Sequence, residues 1–305
     1  DDGESVNSLL RSADAAMYHA KSLGRSNYQF FTASMNAAAQ ERVSMEQRLR
    51  SAIENKELEV HFQTQVDLAQ RRIVGVEALA RWNSPQGPVS PAQFIPVAED
   101  TGLIIPIGEW ILRESCRQLV AWRRAGFHHF SMSVNVSARQ FQRPDFTATV
   151  KQILDESNLE PSALTLELTE SVIMDSEQKS ISTLEALAAM GVQLSLDDFG
   201  TGYSSLSYLK RFPLHKLKID RSFIRDIHSD PDDAAIVRAI LTMAGALDLE
   251  VVAEGVETLE QVEFLQALGC YAAQGYYFNR PLPATQLDSL FAEVCGLAIK
   301  EKAVA

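Results

Sequence analysis

Residues 164–199 read LTLELTESVIMDSEQKSISTLEALAAMGVQLSLDDF. Two short aliphatic and β-branched runs, Leu164–Thr169 and Gln193–Phe199, flank an amphipathic helical stretch over about 177–190. Strand, helix, strand at this spacing is the signature of a βα unit in a parallel sheet. Both strands end in carboxylates: Glu167 and Glu170 after the first, Asp197 and Asp198 in the second. The same alternation extends outward. Further strands are expected at Leu58–Leu68, Ile73–Trp82, Ser131–Ser137, Lys216–Ile219, Val251–Gly255 and Ala272–Phe278. Helices are expected over roughly 91–100, 107–125, 144–157, 232–247, 258–268 and 284–295. Only Ala69-Gln70-Arg71-Arg72 joins the first two strands, which is hairpin spacing and too short for a parallel crossover. Eight strands and their helices predict an α/β fold, a modified TIM-type (β/α)8 barrel with one antiparallel strand. An open doubly wound sheet is the alternative, but no G-x-G-x-x-G opens a helix.

The remaining sequence sets the frame around this barrel. The chain has 305 residues, 46% hydrophobic and 22% charged, with 28 Lys+Arg against 40 Asp+Glu and a net charge of −12. Disorder, collagen and coiled coil are excluded on composition. The acidic balance argues against a nucleic-acid polymer as partner. Cys116, Cys270 and Cys295 are far apart without a CxxC pair, so neither a disulfide framework nor a zinc site is expected, and a reducing cytoplasm fits. No apolar run approaches the roughly 20 residues that cross a bilayer, so no direct membrane contact is expected. The first residue is Asp1 rather than Met, as expected of a piece of a longer parent in which a membrane anchor is open. Residues 1–31 read as an appendage, a helix capped at Gly24 followed by a short strand, Tyr28–Phe31. A connecting helix over 32–55, the barrel over 56–298 and a tail over 299–305 complete the expected organisation.

The informative residues fall at strand ends: Glu77, Asn135, Glu167, Asp197 with Asp198, Lys218 with Asp220, and Glu254 with Glu257. Each alone has a plainer reading, since Asp caps helices, Asn bonds turn backbones and lysine snorkels. In a barrel, however, strand C-termini converge on one mouth. Oxygen ligands suit Mg²⁺ or Mn²⁺ rather than zinc, and adjacent aspartates can bridge two ions for displacement at phosphorus.

These residues also carry a resemblance. Gly75-Val76-Glu77-Ala78-Leu79-Ala80-Arg81-Trp82, Phe94-Ile95-Pro96, Val134-Asn135-Val136-Ser137, Glu167-Leu168-Thr169-Glu170-Ser171 and Asp197-Asp198-Phe199-Gly200-Thr201-Gly202 resemble the EAL domains, bacterial cyclic di-GMP phosphodiesterases. Lys218-Ile219-Asp220, Ala253-Glu254-Gly255-Val256-Glu257, Gln274-Gly275-Tyr276 and Arg280-Pro281-Leu282 extend it to about residues 45–295. The resemblance implies two metal ions, Mg²⁺ or Mn²⁺, in each active site, and hydrolysis of cyclic di-GMP to linear pGpG. Glu77, Asn135, Glu167 and Asp197 would hold one ion; Asp197, Asp198 and Glu254 the other, with Asp220 close by. Lys218, between Asp198 and Asp220, would stay protonated and position the attacking water. Gln63, Leu79, Arg81, Asp220, Glu257 and Gln274 would contact substrate. Glu170 would anchor the Asp198–Ser205 loop, which links the site to a homodimer interface. One departure stands out: the family's usual Gln-Pro after the first strand is Gln63-Thr64-Gln65 here.

Leu9-Leu10, Ala13-Asp14-Ala15-Ala16-Met17-Tyr18 and Gly24-Arg25 resemble the closing helix of a GGDEF (diguanylate cyclase) domain, which implies upstream GGDEF and sensor domains. A silent cyclic di-GMP receptor acting through partner contacts is the rival function, and an aldolase- or enolase-type barrel a third. His128-His129 reads as a solvated turn, His61 as a wall residue, and Trp82 and Trp110 as packing.

Overall fold

The computed structural model describes residues 5–22, 27–174, 177–200 and 209–291. Ten strands lie in one sheet: β1 (Leu58–Asp67), β2 (Arg72–Ser84), β3 (Gly87–Val89), β4 (Ser131–Asn135), β5 (Leu164–Thr169), β6 (Gln193–Phe199), β7 (Lys216–Ile219), β8 (Glu250–Ala253), β9 (Ala272–Ala273) and β10 (Leu282–Pro283). Eight of them close on themselves in the order β1-β9-β8-β7-β6-β5-β4-β2, and β2 pairs back to β1. From β2 through β9 the barrel neighbours run parallel, while β1 runs antiparallel to β9. The barrel with one reversed strand is therefore the observed fold. The reversal is local chemistry. Asp67 Oδ1 accepts the Ala69 and Gln70 N–H groups at 2.9 and 2.7 Å, and Arg71 takes a left-handed φ of 53°.

Helices fill the connections: α1 (Val6–Ser22), α2 (Ala33–Glu54), α3 (Pro91–Thr101), α4 (Ile104–Arg124), α5 (Ala138–Phe141), α6 (Phe146–Ser157), α7 (Glu170–Met174), α8 (Glu177–Ala189), α9 (Arg221–Arg225), α10 (Pro231–Ala246) and α11 (Leu259–Ala267). The sequence supplies caps at the start of several of them. Ser137 and Gln140 form a capping box on α5, as Thr258 and Gln261 do on α11, and Asp230 with Pro231 starts α10.

Two compact units divide the chain, residues 1–58 with 82–103 and residues 59–81 with 104–305. The first is organised on Trp82, 1% exposed and edge-on to Phe94 at 5.8 Å. The Arg48 guanidinium covers the Trp82 ring at 5.3 Å, and its Nε1–H donates to Glu57 at 2.9 Å. The second contains the closed barrel. On its outside Trp122 packs against Phe62, Phe130 and Phe291 and donates to Asp288 at 2.5 Å. Cys116 and Cys270 are free and buried, each thiol pushed up to about 12 by burial.

Some expectations need correction. Residues 28–31 form no strand; Tyr28 and Phe30 are 79% and 80% exposed, with no ladder partner among the described residues. The last barrel strand stops at Ala273 rather than Phe278, because the following backbone turns onto the 254–257 loop. There Val256 N–H donates to Gln274 O at 3.1 Å, and Tyr277 N–H donates to Val256 O at 3.0 Å. By contacts alone, residues 82–103 fall in the same compact unit as residues 1–58. Gly24, Thr201 through Leu206, Cys295 and the 299–305 tail lie outside the described residues, and the expected 284–295 helix is described to residue 291.

The close approach of these two loops sets a test. A Cβ on Gly275 would lie 2.0 Å from Val256 O, a backbone atom, whereas one on Gly245 inside α10 meets nothing within 4 Å. Gly275→Ala should cost about 2–3 kcal/mol. Gly245→Ala should stabilise by roughly 0.5–1 kcal/mol through helix propensity. Denaturant unfolding of both variants beside the parent checks the contrast.

Candidate active site

At the C-terminal ends of the parallel strands, the ammonium of Lys218 sits among carboxylates. Its Nζ lies 2.6 Å from Glu254, 2.7 Å from Glu167, 3.3 Å from Asp197 and 3.4 Å from Glu77. Lys218 is 1% exposed. The placement follows from the period of two along a strand. Leu217 and Ile219, both fully buried, take one face of β7, and Lys218 between them takes the other, toward the barrel lumen. Register carries the same parity across the sheet. Glu77 is opposite Ser133, Asn135 opposite Glu167, and Glu167 opposite Ser195, so all of these face inward with Lys218.

Asp197 and Asp198 are adjacent and would normally face opposite sides. The β6–β7 register slips between Leu196 and Phe199, and Asp198 takes a left-handed φ of 54°. This bulge turns both carboxylates to the mouth. Oxygen atoms of Asp197, Asp198 and Glu254 all lie within 4.8 Å of one another, the cluster among the described residues able to hold a cation. Its oxygen-only donors suit a hard divalent ion.

The electrostatics are those of an acid-rich site with one internal cation. Burial would lower Lys218, but Asp197, Glu167, Glu254 and Glu77 outweigh it and hold the ammonium well above its ordinary value. Glu77 is the best-served carboxylate. Burial would raise it, but Lys218 and hydrogen bonds from Gln274 and Asn135 hold it below the usual range. Glu167 is pushed well up by burial, with Glu77 and Asp197 adding to the shift against Lys218. Glu254 is pushed up to about 8 by burial, Lys218 opposing and Asp197 and Glu77 adding. Burial, Asp197 and Asp220 raise Asp198. Glu77, Glu167, Asp197, Asp198 and Glu254 share a single ammonium, so the surplus negative charge either binds protons or a cation.

A chain of amides locks Glu77 from the other side. Asn135 Nδ2 donates to Glu77 Oε1 at 2.6 Å, and Gln274 Nε2 donates to Glu77 Oε2 at 2.5 Å. Gln274 also donates to Gln63 Oε1 at 3.1 Å, and Gln63 Nε2 donates to the Asn279 carbonyl at 2.9 Å. Gln63 and Gln274, expected to touch substrate, are both buried and spend these hydrogen bonds within the protein. Asn279 was not singled out from sequence. Its partners Gln63 and Thr64 are more than 200 residues away, and no local pattern marks such a contact.

Other expected residues lie around this centre. Lys218 is ringed by four carboxylates that do not include Asp198 or Asp220, because β7 points it across the lumen rather than along its own loop. Asp220 instead caps α9, accepting from Ser222 N–H at 2.9 Å. Arg81 is half-buried, its Nη1 donating to Ala80 O at 2.8 Å; burial lowers it, with Tyr276 and Glu77 opposing. Arg280 stacks on exposed Tyr276 at 4.1 Å. Leu79 and Glu170 are half-buried, and Glu257 is exposed. The loop assigned to Glu170, Asp198–Ser205, lies outside the described residues from 201 onward. His128 and His129 are exposed, and His61 lies 3.5 Å from Glu59.

Comparison with known proteins agrees with this geometry. The family model described as "EAL domain" matches residues 46–281. The "Bifunctional diguanylate cyclase/cyclic di-GMP phosphodiesterase MucR" of Pseudomonas aeruginosa is 51% identical over 94% of this chain and 42% of its own length. The "Cyclic di-GMP phosphodiesterase PdeR" of Escherichia coli is 40% identical over 94% of this chain and 43% of its own length. A solved structure, "PaMucR Phosphodiesterase, c-di-GMP complex", superposes with a TM-score of 0.78 at 50% identity, over 80% of this chain and 99% of that one. The chain thus spans about two fifths of the curated relatives it matches. With the model matching most of its length and the strand-end carboxylates gathered at one mouth, the chain belongs to the EAL-domain family.

Proposed function

We propose that this chain hydrolyses cyclic di-GMP to linear pGpG with the help of two divalent ions, Mg²⁺ or Mn²⁺. The observation that carries the reading is the Asp197–Asp198–Glu254 oxygen cluster beside the buried Lys218 ring. Relatives and a solved neighbour whose printed names include cyclic di-GMP supply the substrate. Glu77, Asn135, Glu167 and Asp197 would hold one ion and Asp197, Asp198 and Glu254 the other. Bound there, the ions lower the pKa of water and offset charge on the phosphorane-like transition state.

The chain's own residues divide the remaining work. Arg81 offers a guanidinium to a phosphate at the mouth. Lys218, held protonated, cannot take the water's proton, so it donates a hydrogen bond and orients the nucleophile. Attack at phosphorus forms a P–O bond to water and breaks the P–O3′ bond; the proton the water gives up to solvent is balanced by the one the leaving O3′ takes from it, so a 5′-phosphate is left on one end and a free 3′-hydroxyl on the other. Glu170 would steady the Asp198–Ser205 loop and, through it, a homodimer contact. Residues 6–22 would be the last helix of a preceding GGDEF domain, in line with a longer signalling parent working in the cytoplasm. Among the described residues no helix is long and apolar enough to cross a membrane.

Incubation with cyclic di-GMP and Mg²⁺ or Mn²⁺ should release pGpG; binding without product would move the chain to the silent-receptor class. Glu77→Ala should abolish turnover and weaken metal binding. Lys218→Ala should lower kcat by about 10²-fold or more with substrate still bound.

Metal-free protein should also reveal the charge surplus. Glu254, ordinarily near 4.5, is raised to about 8 in the fold, so the native state binds more protons than the unfolded state between these values. The stability this contributes is complete below pH 4.5 and is lost as pH climbs to about 8. Tm of the metal-free protein should therefore fall from pH 5.5 to 8.5, and saturating Mg²⁺ should flatten the slope. A metal-free Tm that rises across this range would contradict the assignment.

A further inference from the structure

We propose that Thr64 and Asn279 are positioning residues, a clamp that fixes Gln63 and Gln274 and through them the carboxylate of Glu77. This deepens the hydrolase reading above and rests on it for the role of Glu77. The clamp starts at Thr64 in β1. Thr64 is 2% exposed, and its hydroxyl donates to the Asn279 side-chain oxygen. The Thr64 N–H points at the same oxygen from 3.4 Å. A proline at this position has neither group.

Asn279 is held on every side. Its Nδ2 donates to the Arg280 carbonyl at 2.7 Å, and its N–H donates to the Gly275 carbonyl at 3.3 Å. Its own carbonyl accepts from Gln63 Nε2. Antiparallel pairing of His61 with Pro283 and Phe62 with Leu282 brings the two segments together just before this point. The relay then runs from Gln63 Oε1 to Gln274 Nε2 and from Gln274 Nε2 to Glu77 Oε2. One end of the chain is thus a hydroxyl set in β1, and the other is an inward carboxylate of the site. Without the Asn279 carbonyl in register, Gln63 could rotate its amide and withdraw the acceptor that aims Gln274 at Glu77. Outer groups of this kind orient a ligand by hydrogen bonds without touching the ion, and their loss typically costs 10–100-fold in affinity or activity.

Thr64→Val keeps volume and removes the hydroxyl; Asn279→Ala removes the acceptor; Thr64→Ser restores the hydroxyl. Mn²⁺ affinity is read directly from the free-ion EPR signal, and kcat and KM for cyclic di-GMP are read separately. Thr64→Val and Asn279→Ala should each weaken Mn²⁺ binding about tenfold and lower kcat, with KM within about twofold. Thr64→Ser should return both to within about twofold of the parent. The double variant should be no worse than the poorer single one, since both cut one chain. Unchanged Mn²⁺ affinity and kcat in Thr64→Val would overturn the clamp, as would equal loss in Thr64→Ser. Thermal melts of the metal-free variants separate this from unfolding: matched melting with weakened Mn²⁺ binding supports positioning, and loss of binding only in proportion to unfolded protein refutes it. If the parent itself releases no pGpG, the hydrolase reading falls while the Mn²⁺ titration still decides the clamp.

Discussion

An ammonium buried among four carboxylates is the constraint to which the rest of this barrel answers. A lysine that is 1% exposed would be costly alone, and so would any of Glu77, Glu167, Asp197 or Glu254. Together they offset one another only if each side chain arrives at the same point, within about 3 Å, from a different strand. The closed parallel sheet provides that convergence. Five separate strands, β2, β5, β6, β7 and the end of β8, aim one residue each at a common centre. An open sheet would spread the same residues along an edge. The burial on both sides of the strands and the helix caps just beyond them keep those strand ends rigid enough for the geometry to hold.

That balance is deliberately uneven. Counting Asp198, five acids face one lysine, and the shifts follow from the surplus: Glu77, with two amide donors besides Lys218, stays ionised, while Glu167 and Glu254 are driven upward. A stability-optimised core would replace such groups by apolar ones. Keeping them is a sign of function, because perturbed acids gather where charge must be handled. The left-handed Asp198 adds backbone strain at the same place. It is tolerated because the bulge presents two adjacent carboxylates on one side.

Much of this was legible in the residues. Strands β5, β6 and β7 fall on their expected boundaries, since a run buried on both faces reads as continuous aliphatic sequence and ends where the acids begin. The acids were legible together rather than singly: each alone has a plainer reading, but successive strands that all end in oxygen ligands converge on one mouth. What could not be read depends on distant pairing. Tyr28–Phe31 has strand composition but no ladder partner among the described residues. β9 shrank to two residues because the 274–279 backbone is taken up by the 254–257 loop. Lys218 was expected between Asp198 and Asp220, at the ends of its own and the adjacent strand, and bonds to Glu77, Glu167, Asp197 and Glu254 instead. Sequence neighbours specify which residues reach the mouth; the closure of the barrel specifies which of them touch.

The net charge of −12 takes on a different meaning in this light. Spread over a surface it would repel any phosphate, and it argues soundly against a nucleic-acid polymer. Here a share of it is concentrated at one mouth in Glu77, Glu167, Asp197, Asp198 and Glu254 around a single ammonium. Such a mouth disfavours an anionic dinucleotide until cations enter, and two divalent ions would bring four positive charges against those acids. Neither Arg81, which donates to the Ala80 carbonyl, nor Arg280, stacked on Tyr276, is among the groups that ring Lys218, and on the proposed reading their guanidinium groups are free to meet a phosphate. On the proposed reading the acidic excess is a built-in demand for cations: the carboxylates that would repel a cyclic dinucleotide in the metal-free protein are the ones that would let it bind once they are filled.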